Sequence, residues 1–382
     1  MIIVKDTPHL ATICKSLADE DFVTVDTEFI REKTYWPELC LIQIAGDDDA
    51  YIIDPLADDM DLAPFFELMA DKSVLKVFHA AKQDIEIFVN LSGNVPTPLF
   101  DTQIAAMVCG FGDQIGYQPL IRTLTGAKLD KSSRFTDWAR RPLTDRQLDY
   151  ALADVTHLRK AYRKLSKQLE SSGRKGWVAE EMEVLEAIST YVIDPDTCWE
   201  RIKARSTNPR FLAILKALAA WRERKAQSAN QPRNRILKDD ALLEIAAHNP
   251  KTKTELRNLR AVSKGLVDGR WGDSLMSTIE EAAALPTEDC PQVERKKGVP
   301  ASAQPIIEML RVLLKQVTAA HDVAPKLIAS AADLERIACE DDPDVLALHG
   351  WRAEIFGDQA QAMKRGELGL ALKDGRVSLV DI

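Results

Sequence analysis

The stretch Phe22-Val23-Thr24-Val25-Asp26-Thr27-Glu28 decides the fold of the amino-terminal part of this chain. Its β-branched and aromatic residues predict a strand, and its polar end is typical of a strand that reaches the edge of a sheet. Side chains two residues apart share one face of a strand. We therefore expect the carboxylates of Asp26 and Glu28 to lie side by side, where they repel each other unless a cation intervenes. Carboxylate oxygens suit a hard cation such as Mg²⁺ or Mn²⁺.

Further strands and helices are predicted around this segment. Residues 39–45 and 50–54 are apolar runs separated by a glycine and three aspartates, which is typical of a hairpin. Residues 74–79 form another apolar run that predicts a buried strand, and residues 81–90 have helical spacing. Strands and helices in this mixture predict a mixed sheet flanked by helices.

Three more residues complete a candidate catalytic site. Asp84 follows a predicted strand near the start of the next helix, where a carboxylate also serves as a simple cap. A long helix is predicted over residues 144–169, and Tyr150 and Asp154 stand four residues apart on one face of it. Each residue alone has an ordinary structural interpretation, so the prediction depends on the combination. Four carboxylates can hold two divalent cations, which is an arrangement that hydrolyses phosphodiesters.

Length and composition predict a globular protein of two or three domains. The chain has 382 residues, of which 46% are hydrophobic and 29% charged. No apolar run approaches the roughly 20 residues needed to span a bilayer, which excludes a membrane-spanning protein. The amino terminus does not resemble a signal peptide, and the six cysteines are scattered without a CxxC pair. We therefore expect a cytoplasmic protein with free thiols rather than a zinc site or a disulfide framework.

Charge is distributed unevenly along the chain, although the net charge is −9. Residues 1–170 contain 19 Lys+Arg and 27 Asp+Glu, whereas residues 201–275 contain 17 and 7. Residues 301–382 contain 9 and 13. A basic segment inside an acidic chain predicts a polyanionic partner, with a solvated helical surface as the alternative.

The carboxy-terminal half contains a weak internal repeat. A shift of 92 residues aligns the apolar positions that begin near Leu215 with those that begin near Ile307. Both copies predict a helix, a loop with proline, and a short helix near Asp239 or Asp333. We expect two copies of one small helical domain, joined by a linker over residues 286–304.

The acidic residues and the tyrosine occur in an order known from one group of nucleases. Asp26-x-Glu28, Asp84 and Tyr150-x-x-x-Asp154 resemble the DEDD exonuclease superfamily in its tyrosine branch. The histidine branch does not fit, because the position five residues before the last aspartate is Asp149. Longer strings are similar to the bacterial ribonuclease D family, and they cover residues 25–29, 35–43, 78–84, 100–103 and 137–143. The two repeats resemble HRDC domains, of which the second is the more divergent.

This resemblance implies a fold and an activity. The implied fold is a ribonuclease H-like α/β exonuclease domain over residues 1–200, a basic HRDC domain over 207–285, and a second, all-α HRDC-like domain over 301–382. The implied activity is metal-dependent 3′→5′ exoribonuclease activity that releases nucleoside 5′-monophosphates and trims tRNA precursors and other small structured RNAs. Two divalent cations, Mg²⁺ or Mn²⁺, are expected as cofactors. The implied catalytic set is Tyr150 with the metal ligands Asp26, Glu28, Asp84 and Asp154.

The resemblance also implies where RNA binds. The pocket for the terminal nucleotides is expected at Phe29, Trp36, Leu39, Gln43 and His79, where aromatic and apolar groups stack on unpaired bases. For His79, a purely structural role in a buried hydrogen bond is the alternative.

Basic residues of the first repeat are expected to hold RNA phosphates. They are Arg222, Arg224, Lys225, Arg233 and Arg235. The run 122–146, with 7 Lys+Arg and 3 Asp+Glu, is a second candidate guide for the strand. The chain is expected to act as a monomer away from membranes. Two alternatives stay open, a 3′–5′ DNA exonuclease with the same metal chemistry and a non-catalytic RNA-binding scaffold.

Overall fold

A six-stranded mixed sheet forms the amino-terminal part of the protein. The computed structural model describes residues 2–130, 132–133, 136–292 and 298–382. The strands are β1 (Ile2–Val4), β2 (Phe22–Ile30), β3 (Glu38–Ala45), β4 (Ala50–Ile53), β5 (Leu75–Phe78) and β6 (Leu99–Asp101). Their order is β1-β4-β3-β2-β5-β6, with β3 and β4 antiparallel and β5 parallel to both β2 and β6. The predicted hairpin and mixed sheet are therefore confirmed, and β2 lies inside the sheet.

The helices that accompany this sheet include the long helix predicted from the sequence. They are α1 (Thr7–Leu17), α2 (Ala63–Ala70), α3 (Lys82–Ser92), α4 (Thr102–Val108), α5 (Tyr117–Thr125), α6 (Asp145–Ser171) and α7 (Lys175–Glu186). The side chain of Thr144 accepts a hydrogen bond from the backbone N–H of Gln147, and the Gln147 side chain accepts one from the Thr144 N–H. This capping box fixes the start of α6. The hydroxyl of Thr24 in β2 donates to the carbonyl of Val155 at 2.9 Å, so α6 packs on that face of the strand.

The described residues from 191 to 292 are mainly helical. After a short 3₁₀ helix at Pro195–Arg201, the helices are α8 (Pro209–Ser228), α9 (Arg233–Ile236), α10 (Asp239–His248), α11 (Lys253–Arg257), α12 (Lys264–Asp268) and α13 (Gly272–Ala284). The side chain of Asn208 caps α8 by accepting from the backbone N–H groups of Arg210 and Phe211. Leu215, Leu218 and other apolar residues of α8 are buried in one core with α10 and α13.

The carboxy-terminal segment ends differently from its prediction. Its helices are α14 (Gln304–His321), α15 (Pro325–Ile328), α16 (Ala331–Cys339), α17 (Gly350–Arg352) and α18 (Asp358–Lys364), with a π-helical turn at Ala353–Gly357. Two antiparallel strands follow, β7 (Leu368–Lys373) and β8 (Arg376–Asp381). The all-α prediction for residues 301–382 is therefore wrong at this end. Asp374 and Gly375 join the strands with φ values of 52° and 72°, and an Asp-Gly pair is a favoured two-residue hairpin turn because both positions need positive φ.

The chain divides into two compact units that do not follow the order of the sequence. The first contains the described residues up to Phe29, Leu39–Thr190, and the described residues from 298 onwards. Within it, the rings of Trp177 and Trp351 stack with centroids 4.4 Å apart, so α7 packs against the carboxy-terminal helices. The second unit contains residues 30–38, which connect β2 to β3, together with the described residues from 191 to 292. The three-domain division stays a prediction. Among the described helices, none is both long and apolar enough to cross a bilayer.

Candidate active site

Three carboxylates converge beside β2. Oxygen atoms of Asp26, Glu28 and Asp154 all lie within 4.8 Å of one another. Asp26 and Glu28 have the same parity as Thr24 in β2, so all three side chains are on the face that packs against α6. Asp154 reaches this face from α6. The structure thus brings together residues that are about 126 positions apart in the sequence.

Asp84 is held by the residue between the two acids of β2. The hydroxyl of Thr27 donates to a carboxylate oxygen of Asp84, and both side chains are buried. Burial raises the pKa of Asp84, whereas the Thr27 hydrogen bond acts to lower it. Asp84 is also close enough for its charge to raise the pKa of Asp26. The role of Thr27 was missed in the sequence, where its position within Asp26-Thr27-Glu28 was the available signal.

Burial and like charge both disfavour ionised carboxylates at this site. Burial is the main cause that raises the pKa of Asp26, and the charges of Asp84, Asp154 and Glu28 add to it. Burial also raises the pKa of Asp154. A bound divalent cation compensates this charge, and a set of oxygen donors suits Mg²⁺ or Mn²⁺. The residues present therefore fit the divalent metal expected from the sequence.

Tyr150 lies one helical turn before Asp154 on α6. Its hydroxyl lies close enough to the carboxylate of Asp154 to act to lower the pKa of that group, against the effect of burial. Burial, followed by the charge of Asp154, raises the pKa of Tyr150, so the phenol keeps its proton at neutral pH. The buried ring of Trp138 lies 6.1 Å from the Tyr150 ring, centroid to centroid. Tyr150 thus stands beside the carboxylates with its hydroxyl directed at one of them.

The loop that carries Trp138 is fixed by an ion pair. The guanidinium of Arg141 donates to both carboxylate oxygens of Asp54, at 2.8 and 2.7 Å, and to the carbonyl of Cys40 at 2.7 Å. Asp54 is buried and Arg141 is mostly so. A two-pronged contact of this kind restricts both partners in position and angle. Arg141 therefore anchors this loop to the sheet rather than presenting its charge to a ligand.

A cavity of about 460 Å³ opens beside the acidic groups. Residues on its wall include Asp26, Asp154, Tyr150, His79, Gln103 and Tyr117. The Nδ1 atom of His79 lies 3.0 Å from the hydroxyl of Thr102, and its Nε2 is buried without a hydrogen-bond partner among the described residues. Burial lowers the pKa of His79, so the ring is neutral at pH 7. The acids and an uncharged ring thus share one concave space.

Tyr117 is a wall residue that the sequence did not reveal. Its hydroxyl donates to the carbonyls of Ala153 and Asp154, at 2.9 and 2.6 Å, and therefore fixes the turn of α6 that carries Asp154. Its ring packs edge-on against His79 with centroids 5.5 Å apart. A single tyrosine in a helical segment carries no sequence signal for this role, since only folding brings α5 to α6.

The other residues predicted to form the nucleotide pocket are distributed differently. In β3, Leu39 is nearly buried and Gln43 is fully buried, and the Gln43 amide has no hydrogen-bond partner within the described part of the chain. Phe29 lies near the end of β2 and is partly buried. Trp36 belongs to the second unit, where its backbone N–H donates to the Asn230 side chain at 3.0 Å. Of the five, His79 lines the cavity beside the carboxylates, and a role in nucleotide binding stays a prediction for all of them.

The basic residues predicted to hold RNA phosphates form two groups. Arg222 is 5% exposed and pairs with Asp239 at 2.6 Å, and Arg233 pairs at 2.5 Å with Glu223, which is 1% exposed. Both guanidinium groups thus hold the second unit together, a use that the sequence did not indicate. Of the others, Arg224 is exposed and pairs with Asp196 at 2.7 Å, Lys225 is half-buried, and Arg235 is exposed. Backbone binding stays a prediction, and Arg235 tests it better than Arg233, where charge reversal would break an internal ion pair.

Comparison with known proteins identifies the family. Residues 1–170 match the family described as 3′-5′ exonuclease, and residues 211–279 match the HRDC domain. The chain is 50% identical over 379 residues to ribonuclease D of Granulibacter bethesdensis, covering 99% of this chain and 96% of that one. The chain belongs to the ribonuclease D family. It is also 48% identical over 381 residues to ribonuclease D of Nitrobacter hamburgensis, covering 100% of both.

A solved ribonuclease D structure agrees with this assignment. Escherichia coli RNase D, described as an exoribonuclease involved in structured RNA processing, superposes with a TM-score of 0.83 at 30% identity. The match covers 95% of this chain and 98% of that one. The family assignment makes the protein a 3′→5′ exoribonuclease, and it confirms the predicted exonuclease domain and one HRDC domain.

Proposed function

We propose that the enzyme shortens RNA from its 3′ end and releases one nucleoside 5′-monophosphate in each step. In this proposal Asp26, Glu28, Asp84 and Asp154 hold two divalent cations, Mg²⁺ or Mn²⁺, and Tyr150 orients the attacking water, as in the tyrosine branch of the superfamily. One observation carries it. The carboxylates of Asp26, Glu28 and Asp154 meet beside a cavity that Tyr150 also lines.

The reaction is an in-line hydrolysis. A water oxygen attacks the phosphorus, the bond from phosphorus to the 3′ oxygen breaks, and that oxygen leaves as a 3′-hydroxyl. The cations, when bound, activate the water and stabilise the charge on the leaving oxygen. Tyr150 keeps its proton because burial raises its pKa, so its hydroxyl donates to Asp154 and its oxygen accepts a hydrogen bond from the water.

The cavity beside the acids is the proposed site of the 3′-terminal nucleotide. Its volume of about 460 Å³ and its wall of His79 and Tyr117 suit a base or sugar that packs against rings. His79 is neutral, so it adds no charge that would attract a phosphate away from the carboxylates. The proposal also retains a role in nucleotide binding for Phe29, Trp36, Leu39 and Gln43.

A second cavity supports the proposed path of the strand. It has a volume of about 550 Å³, contains Arg122 and Lys128, and shares Gln118 and Pro119 with the cavity beside the acids. Both cations come from the basic run 122–146 and are exposed. They support binding of the phosphates that precede the terminal nucleotide. Lys131 and Arg134 of this run lie outside the described residues.

The proposed substrates are tRNA precursors and other small structured RNAs. Support comes from the E. coli relative, which is described as acting in structured RNA processing, and from the HRDC match at the basic segment. Arg224, Lys225 and Arg235 are the proposed surface contacts to the RNA backbone. Action as a monomer in the cytoplasm stays a prediction.

We also propose that residues 301–382 are a second, divergent HRDC-like domain that ends in a β-hairpin. The helix α15 begins 92 residues after α9, and α16 begins 92 residues after α10. This spacing matches the repeat found in the sequence. A long helix, α8 or α14, precedes each pair.

A time course on a tRNA with a 3′ extension tests the proposed function. We expect stepwise shortening from the 3′ end, loss of activity in EDTA, and recovery with added Mg²⁺ or Mn²⁺. Endonucleolytic fragments would contradict the proposal. Matched RNA and DNA oligomers separate the alternatives, because a DNA exonuclease prefers the DNA strand and a scaffold binds RNA without shortening it.

A further inference from the structure

Four arginines line a cavity of about 460 Å³ in the unit formed by residues 30–38 and 191–292. Arg31 comes from the connection between β2 and β3, and Arg201 from the end of the 3₁₀ helix before α8. Arg222 lies in α8 and Arg233 in α9. Segments distant in sequence thus bring cationic side chains to one concave surface, and a cleft lined by charges of one sign raises the local concentration of counter-ions.

The charges of Arg222 and Arg233 are compensated, and the positions of both side chains are fixed. Arg222 pairs with Asp239, and Arg233 pairs with Glu223. The hydroxyl of Tyr35 also contacts Glu223, and the Arg233 guanidinium lies 4.8 Å from the centre of the Tyr35 ring. A guanidinium held from two sides loses little freedom when a ligand binds. These pairs therefore form a rigid wall for the cavity.

Arg201 adds a charge that the protein does not compensate. Its side chain is exposed, and it makes no ion pair with any residue that the structure describes. Acidic residues at the cavity include Glu32 and Asp239, of which Asp239 is engaged by Arg222. The cavity thus keeps positive charge available for a ligand.

Two buried polar atoms of wall residues also lack partners. They are Nε of Arg222 and Oγ1 of Thr34, neither of which has a hydrogen-bond partner in the described part of the chain. Arg222 is 5% exposed. A buried donor without an acceptor costs about 1–3 kcal/mol, so an oxygen-rich ligand that approaches this wall relieves a real cost.

We infer that this cavity binds a backbone phosphate of RNA. A phosphodiester brings negative charge and several acceptor oxygens, and its geometry matches the planar donors of arginine. The inference rests on the proposed function, because RNA that is being shortened is the source of the phosphate. It adds Arg31 and Arg201 to the proposed RNA-binding residues. Arg222 and Arg233 then contact RNA as parts of the cavity wall rather than as exposed surface residues.

The test compares Arg201→Ala with Arg260→Ala in the full-length protein. Arg260 is an exposed arginine of the same unit that does not line the cavity, so both variants lose one surface charge. Binding of an unmodified tRNA is measured in EDTA, which prevents degradation, over a range of salt concentrations. We expect Arg201→Ala to weaken binding about tenfold relative to Arg260→Ala and to flatten the salt dependence by about one phosphate contact. Arg201→Lys, which keeps the charge, should recover most of the salt dependence.

Free phosphate is the other source of the same chemistry. Calorimetry with inorganic phosphate and with adenosine 5′-monophosphate distinguishes it from RNA. The inference would be overturned if the wild-type protein bound either small ligand tightly, and if Arg201→Ala removed that binding while leaving the RNA affinity unchanged. Equal RNA affinities for Arg201→Ala and Arg260→Ala would also overturn it. If the wild-type protein shortens RNA in either case, the proposed function survives and only the cavity assignment fails.

Discussion

Replacement of Thr27 by valine removes one hydroxyl at the centre of the site and keeps the shape of the side chain. In the wild type this hydroxyl donates to the carboxylate of Asp84, and the two side chains are 6% and 7% exposed. The hydrogen bond acts to lower the pKa of Asp84 against the effect of burial. Without it the carboxylate gains affinity for a proton, and a proton competes with a metal ion for the same oxygen.

The size of the effect follows from this single contact. A hydrogen bond to a charged group contributes about 1.5–3 kcal/mol, and each 1.4 kcal/mol is a factor of ten. We therefore expect the metal concentration for half-maximal activity to rise about 10- to 150-fold in Thr27→Val. The increase should be larger at lower pH, where proton competition is stronger.

The assay measures initial rates on a short RNA oligomer at varied Mg²⁺ concentrations and at several pH values. Thr27→Ser keeps the hydroxyl while losing the methyl group, so it controls for packing. Thermal unfolding of both variants without metal controls for stability. A half-saturating metal concentration for Thr27→Val within twofold of that for Thr27→Ser would refute the reasoning.

Three further perturbations address the carboxylates, the carboxy-terminal core and the second unit. Asp154→Ala should lower the nuclease rate about a thousandfold. Asp149 is exposed on the same helix, so Asp149→Ala should leave the rate unchanged. Similar nuclease rates for the two variants would contradict the proposed mechanism. Trp351→Ala removes a buried, stacked ring and should reduce the free energy of unfolding by about 3–5 kcal/mol. Leu346 is 63% exposed, so Leu346→Ala should reduce that free energy by less than about 0.5 kcal/mol. Denaturant titrations measure both values. Although burial acts to raise it, accepted hydrogen bonds lower the pKa of Glu223, so its ion pair stabilises the fold above the usual glutamate pKa and this stabilisation is lost as pH falls through the lowered pKa. Glu223→Gln should thus cost about 3 kcal/mol at neutral pH, and less in urea titrations at a pH below the lowered pKa; an equal loss at both pH values would contradict this.

Local patterns in the sequence were enough to predict several elements of this protein. Alternation along Phe22–Ile30 predicted β2 and placed Asp26 and Glu28 on one face, because side chains of a strand alternate. The long helix predicted from residue 144 begins for a similarly local reason, because Thr144 and Gln147 form the capping box of α6. The hairpin turn at Asp374 and Gly375 has an equally local signal, because an Asp-Gly pair suits a two-residue turn.

The composition of the proposed catalytic set was also available from the sequence, but only through the order of its residues and the resemblance to a known family. Asp84 and Asp154 lie on different helices, and nothing in their local spacing indicates that they approach β2. Packing of α6 on the sheet decides it, through contacts such as the one from Thr24. The roles of Thr27 and Tyr117 depend on the same packing.

By itself, the sequence determined the elements, the chemistry of the acidic residues and the basic character of residues 201–275. Only the tertiary structure decided which of those basic groups are neutralised. Arg222 and Arg235 are alike in a count of charges, yet one is buried in an ion pair and the other is exposed. The grouping of residues 30–38 with 191–296 was likewise invisible in the sequence. The physical reason is that burial and ion pairing depend on long-range contacts, whereas periodicity and capping depend on neighbours a few residues away.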